Sequence, residues 1–366
     1  MATNGSSYKI TTNELVPLLD EDPNLYLLDV RETDEVAEWS IQGVHNIPLG
    51  DLDRRYQEIP QEQNIVVICA KGARALQGSQ ILADHGVNSK VLEGGMGAWA
   101  STYDSVEAQF GGATVVQLRR RGKGCLSYII GAGGNSVVID PSLNTEEYEQ
   151  IASEHGWIIR NVLDTHLHAD HISGARQLAD KTDSILMLSP SDPFTFAFTP
   201  LTDGLEIEIA EGISLGVSAV SVPGHTEGST MYQLGTSAIF TGDTLFLESV
   251  GRPDLAEQAE AFAHNLYESL HQRILPLNDE IMVFPAHYGQ GVEVHKGVFV
   301  SKELGKLRTT LPALALSEAD FIAWAIKNVK DRPPNYQQIV LINTGQREIQ
   351  ADSEEMELGP NRCAIA

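Results

Sequence analysis

Three histidines and an aspartate, His166, His168, Asp170 and His171, fall within six consecutive positions of the stretch Thr165–Gly174. The spacing is H-x-H-x-D-H, and every residue type in it can bind a metal. The chain has only 11 histidines in 366 residues, so chance would rarely crowd three of them so tightly. Three histidines would also be costly to bury without partners. Four candidate ligands share one kind of position. His166 follows the apolar run Trp157–Leu163, His225 follows Val217–Val222, Asp243 follows Ala238–Phe240 and His287 follows Ile281–Phe284. Each sits just past a strand-like run, and ligands in sheet proteins collect at strand ends. Residues far apart in the chain could therefore meet on one metal. Taken singly, a loop histidine such as His225 or His287 is more often structural, and an aspartate after glycine is usually a turn residue. His45, His85, His155, His264, His271 and His295 lie outside the pattern.

A second chemical candidate lies about a hundred residues upstream, in the turn Cys69-Ala70-Lys71-Gly72-Ala73-Arg74. A cysteine that ends a strand and enters a helix meets free backbone N–H groups and the positive end of the helix dipole. Lys71 and Arg74 add positive charge, and Gly72 lets the backbone curl its N–H groups toward the sulfur. Each effect favours thiolate over thiol, which makes Cys69 a candidate nucleophile. The competing reading, an inert buried cysteine, outweighs this for any lone cysteine judged on type alone.

The elements that would carry these groups follow from the apolar pattern. A helix is expected over 12–20 with Thr12 as its cap. Strands are expected at Leu25–Val30, Ile65–Cys69 and Ser89–Leu92, and a helix at Ala73–His85, closed by Gly86. Unalternating apolar strands imply burial on both faces, as in a parallel sheet. After Trp99 a polar stretch with Gly111-Gly112 reads as a linker. Strands then recur at Thr114–Leu118, Leu126–Ile130 and Val137–Asp140, with helical patterns at 145–155, 172–181, 257–274 and 317–328, fitting a layered α/β sandwich. Two domains are expected, 1–104 and 105–366, the second including a C-terminal extension.

The formal net charge of −25 argues against a nucleic-acid partner. The one basic run, Arg119-Arg120-Arg121-Gly122-Lys123, reads as a solvated hairpin end. No apolar run approaches the length of a membrane helix, and the N-terminus lacks a signal-peptide pattern, so the chain reads as cytoplasmic. Cys69, Cys125 and Cys363 are too few and scattered for a disulfide framework.

Two resemblances sharpen these readings. Asp29-Val30-Arg31-Glu32, Ile41–Leu49, the Cys69 loop and Leu92–Trp99 resemble a single-domain rhodanese over about residues 8–100. That resemblance implies a small parallel α/β domain whose loop cysteine, Cys69, carries sulfane sulfur. The loop from Cys69 to Arg74 has the sulfur-handling length, and Trp39-Ser40 stands where the family usually has Gly-His. The later motifs resemble the metallo-β-lactamase superfamily, an αββα sandwich, over about residues 112–300. Thr165–Gly174, Pro223–Thr226, Phe240–Phe246, Gly251-Arg252-Pro253-Asp254 and Arg332-Pro333-Pro334-Asn335-Tyr336 look like its persulfide dioxygenase branch. The branch implies one ferrous iron per chain held by His166, His225 and Asp243. It leaves His168, Asp170, His171 and His287 to hydrogen-bond the ligands and bound species. Tyr288 departs from the branch, where Asp often follows Pro-Ala-His. The substrates implied are a thiol persulfide such as glutathione persulfide and O2, with thiosulfate or sulfite in the sulfur exchange. Arg252 is a candidate for a substrate carboxylate, about as often a structural ion pair. The other reading is a two-zinc glutathione thioester hydrolase resembling glyoxalase II, for which all the extra ligands are present. The thiol carrier, the direction of sulfur transfer and the oligomeric state, with a homodimer possible, stay open, as does any role for Cys363 beyond a tail that folds back.

Overall fold

The computed structural model describes residues 8–202, 204–216, 221–253, 258–289, 291–329, 332, 335–350 and 353–365. The first seven residues, most of the run Val217–Val222, and Asp254, Pro333 and Pro334 of the motifs lie outside the described residues.

The chain forms two compact units. The first comprises the described residues to Asp104 together with Arg120–Lys123 and Leu358–Pro360. Its sheet has five strands, β1 (Lys9–Ile10), β2 (Leu25–Asp29), β3 (His45–Asn46), β4 (Asn64–Ile68) and β5 (Ser89–Leu92), in the order β1-β5-β4-β2-β3. All its pairings are parallel. Val67 and Leu28 face one core cluster while Val66, Ile68 and Leu27 face another. Burial on both faces is why these strands read as unbroken apolar runs. The first helix, Thr12–Glu21, is capped by Thr11 rather than Thr12. Thr11 and Glu14 form a reciprocal capping box, a pairing set by the three-residue spacing.

The second unit is the expected sandwich. One sheet has seven strands: β6 (Tyr103–Phe110), β7 (Ala113–Arg120), β8 (Cys125–Ala132), β9 (Asn135–Ile139), β10 (Ile158–Leu163), β11 (Ile185–Leu188) and β12 (Thr199–Pro200). The other has six: β13 (Glu206–Ala210), β14 (Ile213–Gly216), β15 (Tyr232–Leu234), β16 (Ala238–Gly242), β17 (Met282–Pro285) and β18 (Lys302–Glu303). Alternation along β9 shows the layering. Val137 and Ile139 join Phe240, Phe284 and Tyr232 in the core between the sheets. Val138 turns outward to Tyr148, Ala152 and Leu178 on the covering helices Glu146–Glu154 and Ala175–Thr182. Helices Ala259–Glu268 and Glu318–Lys327 contribute Leu266 and Phe321 to the core on the side of the second sheet.

Two further expectations are corrected. Gly111-Gly112 is not a linker but the turn between the neighbouring strands β6 and β7, both glycines having positive φ. The basic run is not a solvated end: Arg119, Arg120 and Lys123 are 1%, 4% and 5% exposed. The physical reason is backbone satisfaction. Arg119 donates to the carbonyls of His295 and Val298, and Arg120 donates to that of Ala100. Arg121 pairs with Asp104. Guanidinium groups are suited to closing off several buried acceptors at once. Among the described residues no helix is long and apolar enough to cross a membrane.

Candidate metal centre and cysteine loop

The strand-end residues of the second unit converge. His166 follows β10, Asp243 follows β16 and His287 follows β17, while His225 sits in the turn before β15. His166 Nε2 lies 3.6 Å and His225 Nε2 3.5 Å from Asp243 Oδ2. All three residues are buried, and these three atoms have no hydrogen-bond partner. Buried polar atoms are normally paired, so three unpaired acceptors aimed at one point call for a cation between them.

The opposite side of each ligand is tied down. His225 Nδ1 is 3.0 Å from the Arg252 carbonyl, which can only accept, so the ring proton is on Nδ1 and Nε2 keeps its lone pair. Thr165 Oγ1 donates to the Asp140 carboxylate at 2.8 Å and accepts from His166 Nδ1 at 2.9 Å, which sets the same tautomer there. Asp243 Oδ1 accepts from His287 Nδ1 at 2.6 Å. Electrostatics agree with this arrangement. Burial, followed by the neighbouring His168, holds His166 well below the usual histidine range, and burial also lowers His225. Burial works against ionising Asp243, but His287 and His166 outweigh it and keep the carboxyl far below its ordinary range. Two neutral imidazoles and a carboxylate are the protonation states a metal requires.

His168 is held at one ring nitrogen, and its Nδ1 is buried without a hydrogen-bond partner. Its Nε2 faces Asp140 at 3.2 Å and Asp164 at 3.9 Å, and it groups with these two rather than with the three converging ligands. Asp170, His171 and His287 form a second buried group together with Cys125. Asp170 lies 3.1 Å from both His171 Nδ1 and His287 Nε2. Burial opposes charge on His171, but Cys125 and Asp170 raise it to about 10. Burial opposes the Cys125 thiolate, yet His171 and His287 pull that thiol down to about 6. Within this group the neighbours thus favour a charged imidazole at His171 and a thiolate at Cys125.

Arg252 is buried, and its guanidinium donates to the Arg362 carbonyl at 3.0 Å. Cys363 is buried beside Asp243 and His287, so the tail does fold back. Burial, with the charges of Asp170 and Asp243, raises its thiol well above the usual range. Sequence reasoning missed Cys125, Asp140 and Asn343. Asp140 carried a signal, since it too follows an apolar strand. Nothing in residue type marked Asn343, whose amide donates to the carbonyls of both His168 and His171. The six histidines set aside lie elsewhere, as with His45 stacked on Tyr26 and His264 paired with Glu318.

In the first unit Cys69 follows β4 and is 1% exposed. Its sulfur accepts from the Gly72 N–H at 3.1 Å. Gly72 caps the helix Ala73–Asp84 at φ 97°, a conformation that only glycine adopts cheaply. The loop is held from behind by Met96 N–H on the Cys69 carbonyl and Gly97 N–H on that of Ala70. Arg74 pairs bidentately with Glu35 at 2.7 and 2.8 Å, and this hydrogen bonding draws the Glu35 carboxyl down to about 2. Arg74 thus shares its charge with Glu35 instead of presenting it whole to the loop, while Lys71 is exposed.

Comparison with known proteins agrees with this division. Residues 11–102 match the rhodanese-like domain and residues 120–287 the metallo-beta-lactamase superfamily. The human persulfide dioxygenase ETHE1 is 30% identical over 203 residues, covering 54% of this chain and 74% of that protein. A hydroxyacylglutathione hydrolase from Methylobacillus flagellatus is 34% identical over 149 residues, 40% of this chain; the chain spans 56% of that relative's length. The crystal structure of ETHE1 from Myxococcus xanthus superposes with a TM-score of 0.56 at 28% identity, covering 63% of this chain and 98% of that one.

Proposed function

Because the chain belongs to the persulfide dioxygenase family of the metallo-beta-lactamase superfamily, joined to a rhodanese-like domain, we propose that it oxidises a low-molecular-weight thiol persulfide with O2. Glutathione persulfide is the substrate to test first. The balanced reaction takes persulfide, O2 and water to the free thiol, sulfite and two protons. One observation carries the reading: the buried ligand atoms of His166, His225 and Asp243 converge without hydrogen-bond partners. Two histidines and one carboxylate suit a single ferrous iron and leave its other positions open. That iron supplies a site where O2 and the sulfane sulfur are brought together.

The chain's own residues do the rest. His166, His225 and Asp243 hold the metal. Thr165, the Arg252 carbonyl and His287 hold the ligands in the tautomers and orientation that binding requires. Asp170 and His171 supply charge, and His168 a hydrogen bond to Asp140, beside the site. In the first unit Cys69 accepts sulfane sulfur as a persulfide and hands it to a thiol or to sulfite. The Gly72 N–H stabilises the thiolate left behind.

A second reading has a specific basis. The hydroxyacylglutathione hydrolase relatives and the buried group Asp170, His171 and His287 fit a two-zinc thioester hydrolase. Metal analysis of anaerobically purified protein, paired with oxygen uptake on glutathione persulfide, separates the two. About one iron per chain and uptake that vanishes in His225→Ala are expected. Two zincs per chain with thioester hydrolysis would overturn the dioxygenase reading.

A further inference from the structure

The matched superfamily region ends at residue 287, yet the chain beyond it packs against the surroundings of the metal centre in two places. On one side is the segment Asn361–Ile365. The Cys363 carbonyl accepts from the Arg252 N–H at 3.0 Å, and the Arg362 carbonyl accepts from the Arg252 guanidinium. Arg252 is the residue whose own carbonyl fixes His225. The segment is pinned in register: Ile365 N–H donates to the Val250 carbonyl at 3.0 Å, and Ser249 Oγ donates to that of Ile365 at 2.6 Å. Ala364 forms a bridge with Gly251. This lays the Cys363 sulfur within 4.8 Å of an Asp243 carboxylate oxygen and a His287 ring nitrogen.

On the other side is the helix Tyr336–Asn343 and the turn after it. Asn343 donates to the His168 and His171 carbonyls at 2.8 and 2.9 Å and accepts from the Ser173 N–H at 2.9 Å. Glu357, itself buried, accepts from the Ile172 N–H at 2.6 Å. Asn343 and Glu357 therefore hold the backbone of the histidine stretch, while the tail holds the partner of His225 and brings the Cys363 sulfur beside Asp243.

We propose that the C-terminal segment Asn361–Ile365 is a positioning element of the metal centre, acting on His225 through Arg252 and on Asp243 through the Cys363 side chain. The inference rests on His166, His225 and Asp243 being the metal ligands, not on the reaction performed there. It predicts that shortening the chain weakens metal binding while the rest of the second unit stays folded. Groups that orient metal ligands from behind typically change affinity by ~10–100-fold.

The test uses the full chain, a variant ending at Pro360, Cys363→Ala, Cys363→Ser and His225→Ala. Cobalt(II) is the probe, its affinity read anaerobically by competition with a chromophoric chelator and its coordination by the visible ligand-field bands. Far-UV circular dichroism and melting of the metal-free proteins report the fold. The expected result is cobalt affinity lowered ~10–100-fold with altered bands in the shortened chain. Cys363→Ala should show a smaller loss of the same kind, and Cys363→Ser, which keeps a donor, should recover most of it. Should the shortened chain fail to fold, the two Cys363 variants decide the matter. Wild-type affinity and bands in Cys363→Ala and in a folded shortened chain would overturn the inference. If His225→Ala also binds cobalt normally, the ligand assignment itself is wrong.

Discussion

Thr165→Val removes one hydroxyl and keeps the shape of the side chain. In the native arrangement that hydroxyl accepts from His166 Nδ1 at 2.9 Å and donates to the Asp140 carboxylate at 3.0 and 2.8 Å. The valine leaves a buried imidazole N–H without an acceptor, which costs about 1–3 kcal/mol. It also removes the hydroxyl from Asp140 Oδ2, whereas Oδ1 keeps the Thr165 N–H at 2.6 Å and His168 at 3.2 Å. The carboxylate therefore loses only part of its support, and the destabilisation of the metal-free fold should total about 2–4 kcal/mol. The larger consequence is chemical. Once the hydroxyl is gone, nothing obliges the ring proton to stay on Nδ1, and the tautomer protonated at Nε2 cannot bind a metal. Metal affinity should fall ~10–100-fold, or about 1.4–2.7 kcal/mol. Thr165→Ser restores the hydroxyl and should restore affinity. Anaerobic metal titration against a chelator, alongside urea unfolding of the metal-free protein, measures the two effects separately. If Thr165→Val loses stability but binds metal as tightly as wild type, Thr165 only braces Asp140, and its control of the His166 tautomer is refuted.

Three further outcomes follow from the geometry. Cys69→Ser should abolish sulfur transfer from thiosulfate to cyanide or a thiol while leaving oxygen uptake on glutathione persulfide intact; loss of both would show that the two sites are functionally coupled. Gly95→Ala places a methyl group 2.1 Å from the Cys69 carbonyl oxygen at a residue with φ of 58°. It should cost about 3 kcal/mol or more and disable sulfur transfer, with metal content unchanged, as measured by melting and metal analysis. Asp192 is raised from 3.8 to about 6 chiefly by burial, against hydrogen bonds from the Gly228 and Leu167 N–H groups. A carboxyl raised on folding contributes stability below its unfolded value and loses it as pH rises through about 6. Between pH 4 and 7 this residue should therefore withdraw about 2–3 kcal/mol, and urea unfolding of Asp192→Asn should show a correspondingly flatter pH dependence. Parallel slopes in the two proteins would rule this out.

The architecture was legible because it rests on burial, and burial leaves a pattern. Apolar runs without alternation announced the parallel strands β2 and β4, and the strand-end position of His166, Asp243 and His287 announced a site. The misread places are those where a polar residue is buried by backbone contacts distant in sequence. Arg119 and Arg120 looked like solvent residues because nothing local says that carbonyls at His295, Val298 and Ala100 need donors. The division of labour among the histidines was hidden for the same reason. H-x-H-x-D-H serves one metal or two, and which of its rings are held from behind is set by residues far away in the sequence. Asp140 is one of the residues that decides this. It follows β9 at φ 53°, 28 residues before the histidine it holds, and it also binds Thr165. One carboxylate thus holds the Nε2 of one histidine while fixing the tautomer of another through the threonine. Asp140→Asn should therefore alter His166 and His168 together.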